Sequence, residues 1–305
     1  LNLAGIVLLL FLGIGQPYVF ASQTLHVISA QNGNPGTGHS SVIFGPPLRV
    51  VRARVLDSGA VFFLTGVGFS GEDTNAVIDG YVRSADSTGP VYAAPPAPVG
   101  AQGDGVYGDI ADDASSVVVL RELHPSTVDI QTGPPGGPLI PVGGELHNPA
   151  GMDLAGNGHY LVYAETSAAG DPAHVFREDL AVTPTERVNL TPAAQADCRQ
   201  PAVSVNGDRV VFFTSAHSLV PDDTNAVADI FLHDSQTGIS RISEGSDGSE
   251  GTAPSTNPDI SGDGSVIVFQ SEADSLVNDD TNGVSDIFAW HACSVERCSV
   301  RTDGG

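Results

Sequence analysis

The sequence predicts an all-β propeller of four-stranded blades, with a β-helix or other solenoid as the competing architecture. Three observations carry this reading. The phrase PDISGDGSVIVF at 258–269 repeats PAVSVNGDRVVF at 201–212. The echo then runs on without a gap through Leu219/Leu276, Asp222/Asp279, Asn225/Asn282 and Asp229/Asp286. Finally, 36 glycines and 21 prolines suit many tight turns and oppose long helices.

In chain order, residues 1–21 read as part of a secretory signal. The apolar run 6–14 is too short to span a bilayer. Gly15-Gln16-Pro17 follows, and Val19-Phe20-Ala21 is a small-residue cleavage pattern before Ser22. The expectation is an exported protein, periplasmic or extracellular, monomeric, with no membrane span once the signal is removed. The propeller domain then occupies 22–305, with units centred near 58, 114, 158, 207 and 264. Their unequal spacing places variation in the loops and leaves the strands fixed.

Each unit reads as four short strands. The first, at 259–261, meets the turn Gly262-Asp263-Gly264, whose last glycine can take positive φ. The second, at 265–271, is almost continuously apolar, as suits a strand covered on both faces. The third is DIFAW at 286–290, matched by DIFL at 229–232. The fourth is ISRIS at 239–243, with 298–301 as its counterpart in the last unit. A further stretch, TLHVIS at 24–29, resembles a fourth strand belonging to another blade. About five blades are therefore visible, and a ring of six or more is expected.

The motif Pro-Asp-x-Ser-x-Asp-Gly followed by x-x-Ile/Val-x-Phe resembles the repeat of the TolB-like β-propeller family. It is best formed at 258–269, well formed at 201–212, and looser in MDLAGNGHYLVY (152–163), IADDASSVVVL (110–120) and VLDSGAVFF (55–63). The resemblance implies an envelope propeller that docks other proteins. It also implies that some relatives carry a hydrolase domain beside the propeller.

Between second and third strands, three units share one acidic phrase. It reads Asp73-Thr74-Asn75 with Asp79, Asp223-Thr224-Asn225 with Asp229, and Asp280-Thr281-Asn282 with Asp286, preceded by Glu72, Asp222 and Asp279. Two tasks fit this spacing. Its oxygens resemble the front half of a calcium-binding loop, which makes Asp73, Asn75, Asp79, Asp222, Asp223, Asn225, Asp229, Asp279, Asp280, Asn282 and Asp286 candidate ligands of calcium. Alternatively, the Asp and Asn side chains simply form Asx turns. In a meander these loops emerge at the same end as the long interblade segments, so one face collects the acidic loops. That face is where a protein or small ligand is expected.

Composition bounds the chemistry. The chain of 305 residues has a formal charge of −24, and all 12 basic residues are arginine. Without lysine, Schiff-base and Ser–Lys chemistries are excluded, and the acidic balance disfavours nucleic acid. No Gly-x-Ser-x-Gly, His-Glu-x-x-His or sialidase-type box occurs, and His217, His233 and His291 fall off the repeat register. Trp290 has His233 as its counterpart and reads as packing. Cys293 and Cys298 bracket a short turn and could close a disulfide, leaving Cys198 as a free thiol. The function expected is a non-catalytic interaction or ligand-binding scaffold, stiffened by calcium. The competing class is the propeller part of a larger secreted hydrolase.

Overall fold

The computed structural model describes residues 30–31, 34–35, 38–40, 50–58, 60–65, 79–83, 92–93, 105–124, 127–134, 140–147, 149, 151–166, 170–291 and 293–299. Among them Ala30–Gln31 pairs with Asn34–Pro35 as a two-stranded sheet, and five larger antiparallel sheets follow one another along the chain, here called blades I to V. Blade I holds Val50–Val55, Val61–Thr65, Asp79–Arg83 and Tyr92–Ala93, with Gly38–Ser40 added beside its first strand. Blade II holds Gly105–Ile110, Val117–His124, Thr127–Gly133 and Ile140–His147. Blade III holds Met152–Leu154, Tyr160–Thr166, Ala173–Asp179 and Glu186–Asn189. Blade IV holds Arg199–Val203, Arg209–Thr214, Asp229–Asp234 and Gly238–Arg241. Blade V holds Ser255–Ile260, Val266–Ser271, Asp286–His291 and Ser294–Arg297.

Each strand pairs with the next as a meander, and the first strands of neighbouring blades lie against one another. Gly38–Ser40 of blade I in turn approaches Ser255–Ile260 of blade V. The fold is thus a β-propeller, and the coils of a β-helix are absent from the described residues. No helix among them is long and apolar enough to cross a membrane.

The repeated aromatic explains itself in packing. It sits on the second strand, directly opposite an aromatic of the third: Tyr163 across from Phe176, Phe212 from Phe231, Phe269 from Phe288. Ring centroids lie 5.9, 6.0 and 5.8 Å apart, in stacked geometry. All three second-strand rings are buried within the cores between blades. The turn glycines Gly158, Gly207 and Gly264 have φ of 72°, 77° and 72°, where a side chain would be strained. Blade II places Ala114 in that slot at φ 59°.

Two expectations are corrected at the last hairpin. The fourth strand of blade V is Ser294–Arg297, ahead of the expected 298–301, because His291 pairs with Ser294 across a tighter turn. Cys293 consequently sits at the hairpin tip, while the Cys298 N–H donates to the Ile287 carbonyl at the far end of the strand (2.7 Å). Opposite ends of one strand cannot be bridged by a disulfide, and both thiols are free and exposed. Cys198 is free as expected, but it is buried in the core between blades III and IV. Residues 24–29 lie outside the described residues.

Candidate functional site

The blades are joined at the end that carries the first turns. Backbone rungs cross from blade to blade there: Asp57 N–H to Asp112 O (2.9 Å), Asp112 N–H to Gly156 O (2.9 Å), Asn157 N–H to Val205 O (3.2 Å) and Val205 N–H to Gly262 O (2.8 Å). Aspartates on the first strands add a second layer. The Asp109 carboxylate accepts from Leu154 N–H (2.8 Å) and that of Asp153 from Val203 N–H (2.7 Å), each in the following blade. Blade I departs from this pattern by placing Arg54 in the aspartate register. Its guanidinium, 2% exposed as a residue, donates to Asp109 (3.1 Å), Asp112 (3.0 Å) and the carbonyls of Ile110 (2.6 Å) and Leu154 (2.9 Å). Arg177 and Arg209 likewise reach the turn carbonyls of Gly207 and Gly264 in the next blade (both 2.8 Å). Sequence reading missed Arg54 and the role of the aspartates. The signal available was the recurrence of Asp at 109, 153 and 259, with a lone arginine in the first copy.

The opposite end gathers the long loops, as strand order requires. In blade IV the second-to-third loop is bonded to the segment that leaves for blade V. Thr224 donates through N–H and hydroxyl to the two Glu250 carboxylate oxygens (both 2.6 Å), and Asn225 Nδ2 donates to Gly251 O (3.0 Å). Ser218 ties the same loop to Ala193 O in the preceding linker (2.6 Å).

The acidic phrase has one geometry in blades IV and V. The Asn carbonyl accepts the N–H two residues on, Val227 to Asn225 (3.0 Å) and Val284 to Asn282 (2.9 Å). These are Asx turns. The Asn amide then donates to the carboxylate that opens the third strand, Asp229 (2.8 Å) or Asp286 (2.7 Å). A hydroxyl just beyond the fourth strand takes the other oxygen: Ser243 to Asp229 (2.6 Å), and Ser299 to Asp286. Asp79 opens the third strand of blade I opposite Thr65, in the same register, while Asp73 and Asn75 lie outside the described residues.

In the loops of blades IV and V a cation is already present, supplied by the fourth strand. Arg241 donates to Glu250 (2.8 Å) and to the Asp222 carbonyl (3.2 Å). The carboxylates of Asp222, Glu244 and Asp223 stand 3.7, 3.9 and 4.0 Å from its guanidinium. The repeat-equivalent Arg297 donates to Asp280 (3.0 Å) and the Asp279 carbonyl (3.3 Å) and lies 3.7 Å from Asp286. Both guanidiniums are nearly buried. Because Arg241 turns toward Glu250, both Asp223 oxygens are buried without a hydrogen bond. Burial pushes the Asp223 carboxyl above its ordinary value, with Arg241 opposing. Burial also raises Asp229, against the hydrogen bonds from Ser243 and Asn225. Glu250 is lowered, chiefly by its bonds from Thr224.

These donor sets fit calcium poorly. Amide and hydroxyl hydrogens occupy the Asp229 and Asp286 oxygens that an ion would need. Among the described residues no three His, Cys, Asp or Glu side chains converge on a metal position. Nor do the histidines gather. His217 is exposed, His233 is half-buried with its pKa lowered by burial, and His291 approaches only Glu296 (3.5 Å). Trp290 packs partly buried on the core between blades IV and V. It also walls a cleft of about 200 Å³ with Arg241, Glu244, Ser246, Gly248 and Cys293.

No protein-family profile matches the chain, and no curated protein is significantly similar in sequence. Solved structures do match. A putative TolB from Agrobacterium tumefaciens is 13% identical, with 80% of this chain and 78% of that one covered, at a TM-score of 0.54. The β-propeller domain of the Trilobed protease from Pyrococcus furiosus, described as having an open velcro topology, is 12% identical over 84% of this chain and 69% of that one, TM-score 0.54. An acylaminoacyl peptidase from Pyrococcus horikoshii is 10% identical over 82% of this chain and 38% of that one, TM-score 0.53. At such identities the likeness shows the fold alone, a β-propeller shared with TolB and with propeller domains of peptidases.

Proposed function

We propose that the protein is a non-catalytic propeller scaffold that binds a basic protein surface through its loop end. One observation carries this reading. At the loop end of blades IV and V the arginines Arg199, Arg241 and Arg297 all face carboxylates of that same end. Exposed Asp247, Glu272, Asp274 and Asp279 are left to set the sign of the surface. Such a field steers cationic partners and repels phosphate backbones. On this reading Arg241 and Arg297 do the work expected of calcium. The export pattern at 1–21 fits a periplasmic or extracellular partner.

The test uses a fluorescent arginine-rich peptide at low ionic strength. Binding is expected to weaken with Asp274→Lys and Asp279→Lys and to hold with Asp208→Lys and Asp263→Lys at the turn end. Equal weakening by both pairs means generic charge attraction and overturns the assignment of the face. The likeness to peptidase propellers supports a second reading, in which this is the propeller portion of a larger hydrolase. A Gly-x-Ser-x-Gly domain in the same reading frame would favour it over the scaffold.

A further inference from the structure

The two described copies of the acidic phrase differ at one residue that changes their chemistry. Blade IV reads Asn225-Ala226, and blade V reads Asn282-Gly283. We propose that Asn282 is a site of spontaneous, structure-gated deamidation, a modification that alters the acidic loop of blade V alone.

The reaction needs two things, and the structure supplies both. The first is a free nucleophile. The backbone nitrogen of Gly283 has no described acceptor, sits in an exposed turn at φ 64°, and has open space where a side chain would stand. The second is an activated electrophile. The Asn282 Oδ1 accepts the Val284 N–H (2.9 Å), a donor placed where negative charge develops when the side-chain carbonyl is attacked. The Asn282 Nδ2 donates to the Asp286 carboxylate (2.7 Å), and this is the contact that the reaction removes.

The step balances without any oxidant. The Gly283 nitrogen forms a bond to Asn282 Cγ, the Cγ–Nδ2 bond breaks, and Nδ2 leaves as ammonia with the proton given up by Gly283. Water then opens the five-membered imide at either carbonyl, giving aspartate or isoaspartate. The product places a carboxylate against Asp286 where an amide donor stood, so the bond that orders the turn becomes a like-charge contact.

The other copies supply controls. Asn157-Gly158 and Asn206-Gly207 are also Asn-Gly pairs, but both glycine N–H groups donate inside their turns, to Ala155 O (2.8 Å) and Ser204 O (3.0 Å). Asn225 has the same Asx turn, yet the Ala226 methyl shields its neighbouring nitrogen and Gly251 O holds its amide as well. Asn32-Gly33 lies outside the described residues and is followed on its own peptide.

The experiment incubates the full chain, folded and urea-unfolded, at mildly alkaline pH and maps peptides by mass, with isoaspartate detected by enzymatic methylation. In the folded protein Asn282 is expected to convert about tenfold faster than Asn157, Asn206 or Asn225, equivalent to about 1.4 kcal/mol in barrier. On unfolding, the Asn-Gly pairs converge to one rate. Gly283→Ala slows conversion of Asn282 to the rate of Asn225 and lowers the melting temperature by no more than about a few degrees, the strain of a left-handed alanine that Ala226 already bears in that register at φ 56°. Conversion of Asn157 or Asn206 at the rate of Asn282 in the folded chain, or an undiminished rate at Asn282 in Gly283→Ala, overturns the proposal.

Discussion

At the turn end, Arg54 reaches out of its own blade to Asp109 and Asp112, and backbone rungs run from blade to blade beside it. At the loop end, Arg241 and Arg297 point back into their own blades and the segment leaving them. The same ion pair therefore does two jobs. Directed across blades and away from water, it fastens the ring. Directed within a blade, it folds an acidic loop on itself and leaves neighbouring carboxylates at the surface. The difference teaches why acidity can accumulate at one end without splitting the blades: cohesion is lodged elsewhere.

The widest separation between the ends should come from Arg54→Met. Removing the cation that two buried carboxylates share costs about 3–5 kcal/mol, read as a lowered unfolding free energy in urea. A loss below that of the loop-end arginines would reverse the comparison. Next comes Asp153→Ala, which strands the Val203 N–H and costs about 1–3 kcal/mol. Blade IV already carries Ala202 in that register, so the interface between blades IV and V should be the softer one.

At the loop end, Arg241→Gln is expected to cost about 2–3 kcal/mol and Arg297→Gln about 1–2 kcal/mol, because Arg241 also holds Glu250 of the departing segment. Equal losses would mean that the interblade bond adds nothing. The smallest effect has the opposite sign. Burial raises the Asp223 carboxyl, so the fold favours its protonated form. That contribution is present below the unfolded carboxyl's range and lost as pH rises through the raised folded value. Asp223→Asn should therefore raise Tm at neutral pH by about 2 °C, and the gain should vanish on acidification. A gain independent of pH would trace to packing instead. Calcium against chelator should leave the melting of both loops unchanged, since the oxygens it would need are already hydrogen-bonded.

Much of this was legible beforehand in the repeat. Phe212 and Phe269 recur because each stacks on a third-strand aromatic, so hydrophobic register and fold class come together. The acidic phrase was legible as a turn, since Asn225 and Asn282 act on backbone two residues away. What closes it was not. Ser243 and Arg241 arrive from the fourth strand, and spacing within a loop says nothing about donors from beyond it. Arg54 was hidden for a related reason, as its partners lie in the next two blades. The last hairpin was misread because Cys293 and Cys298 suggested a turn between them, where backbone pairing places the whole strand.

Amide hydrogen exchange on the native protein tests the division between the ends most directly. The account predicts that the rung amides of Asp57, Asp112, Asn157 and Val205 exchange among the slowest, while residues 222–227 and 279–285 exchange orders of magnitude faster. Rung amides exchanging at the rate of the loops would contradict it.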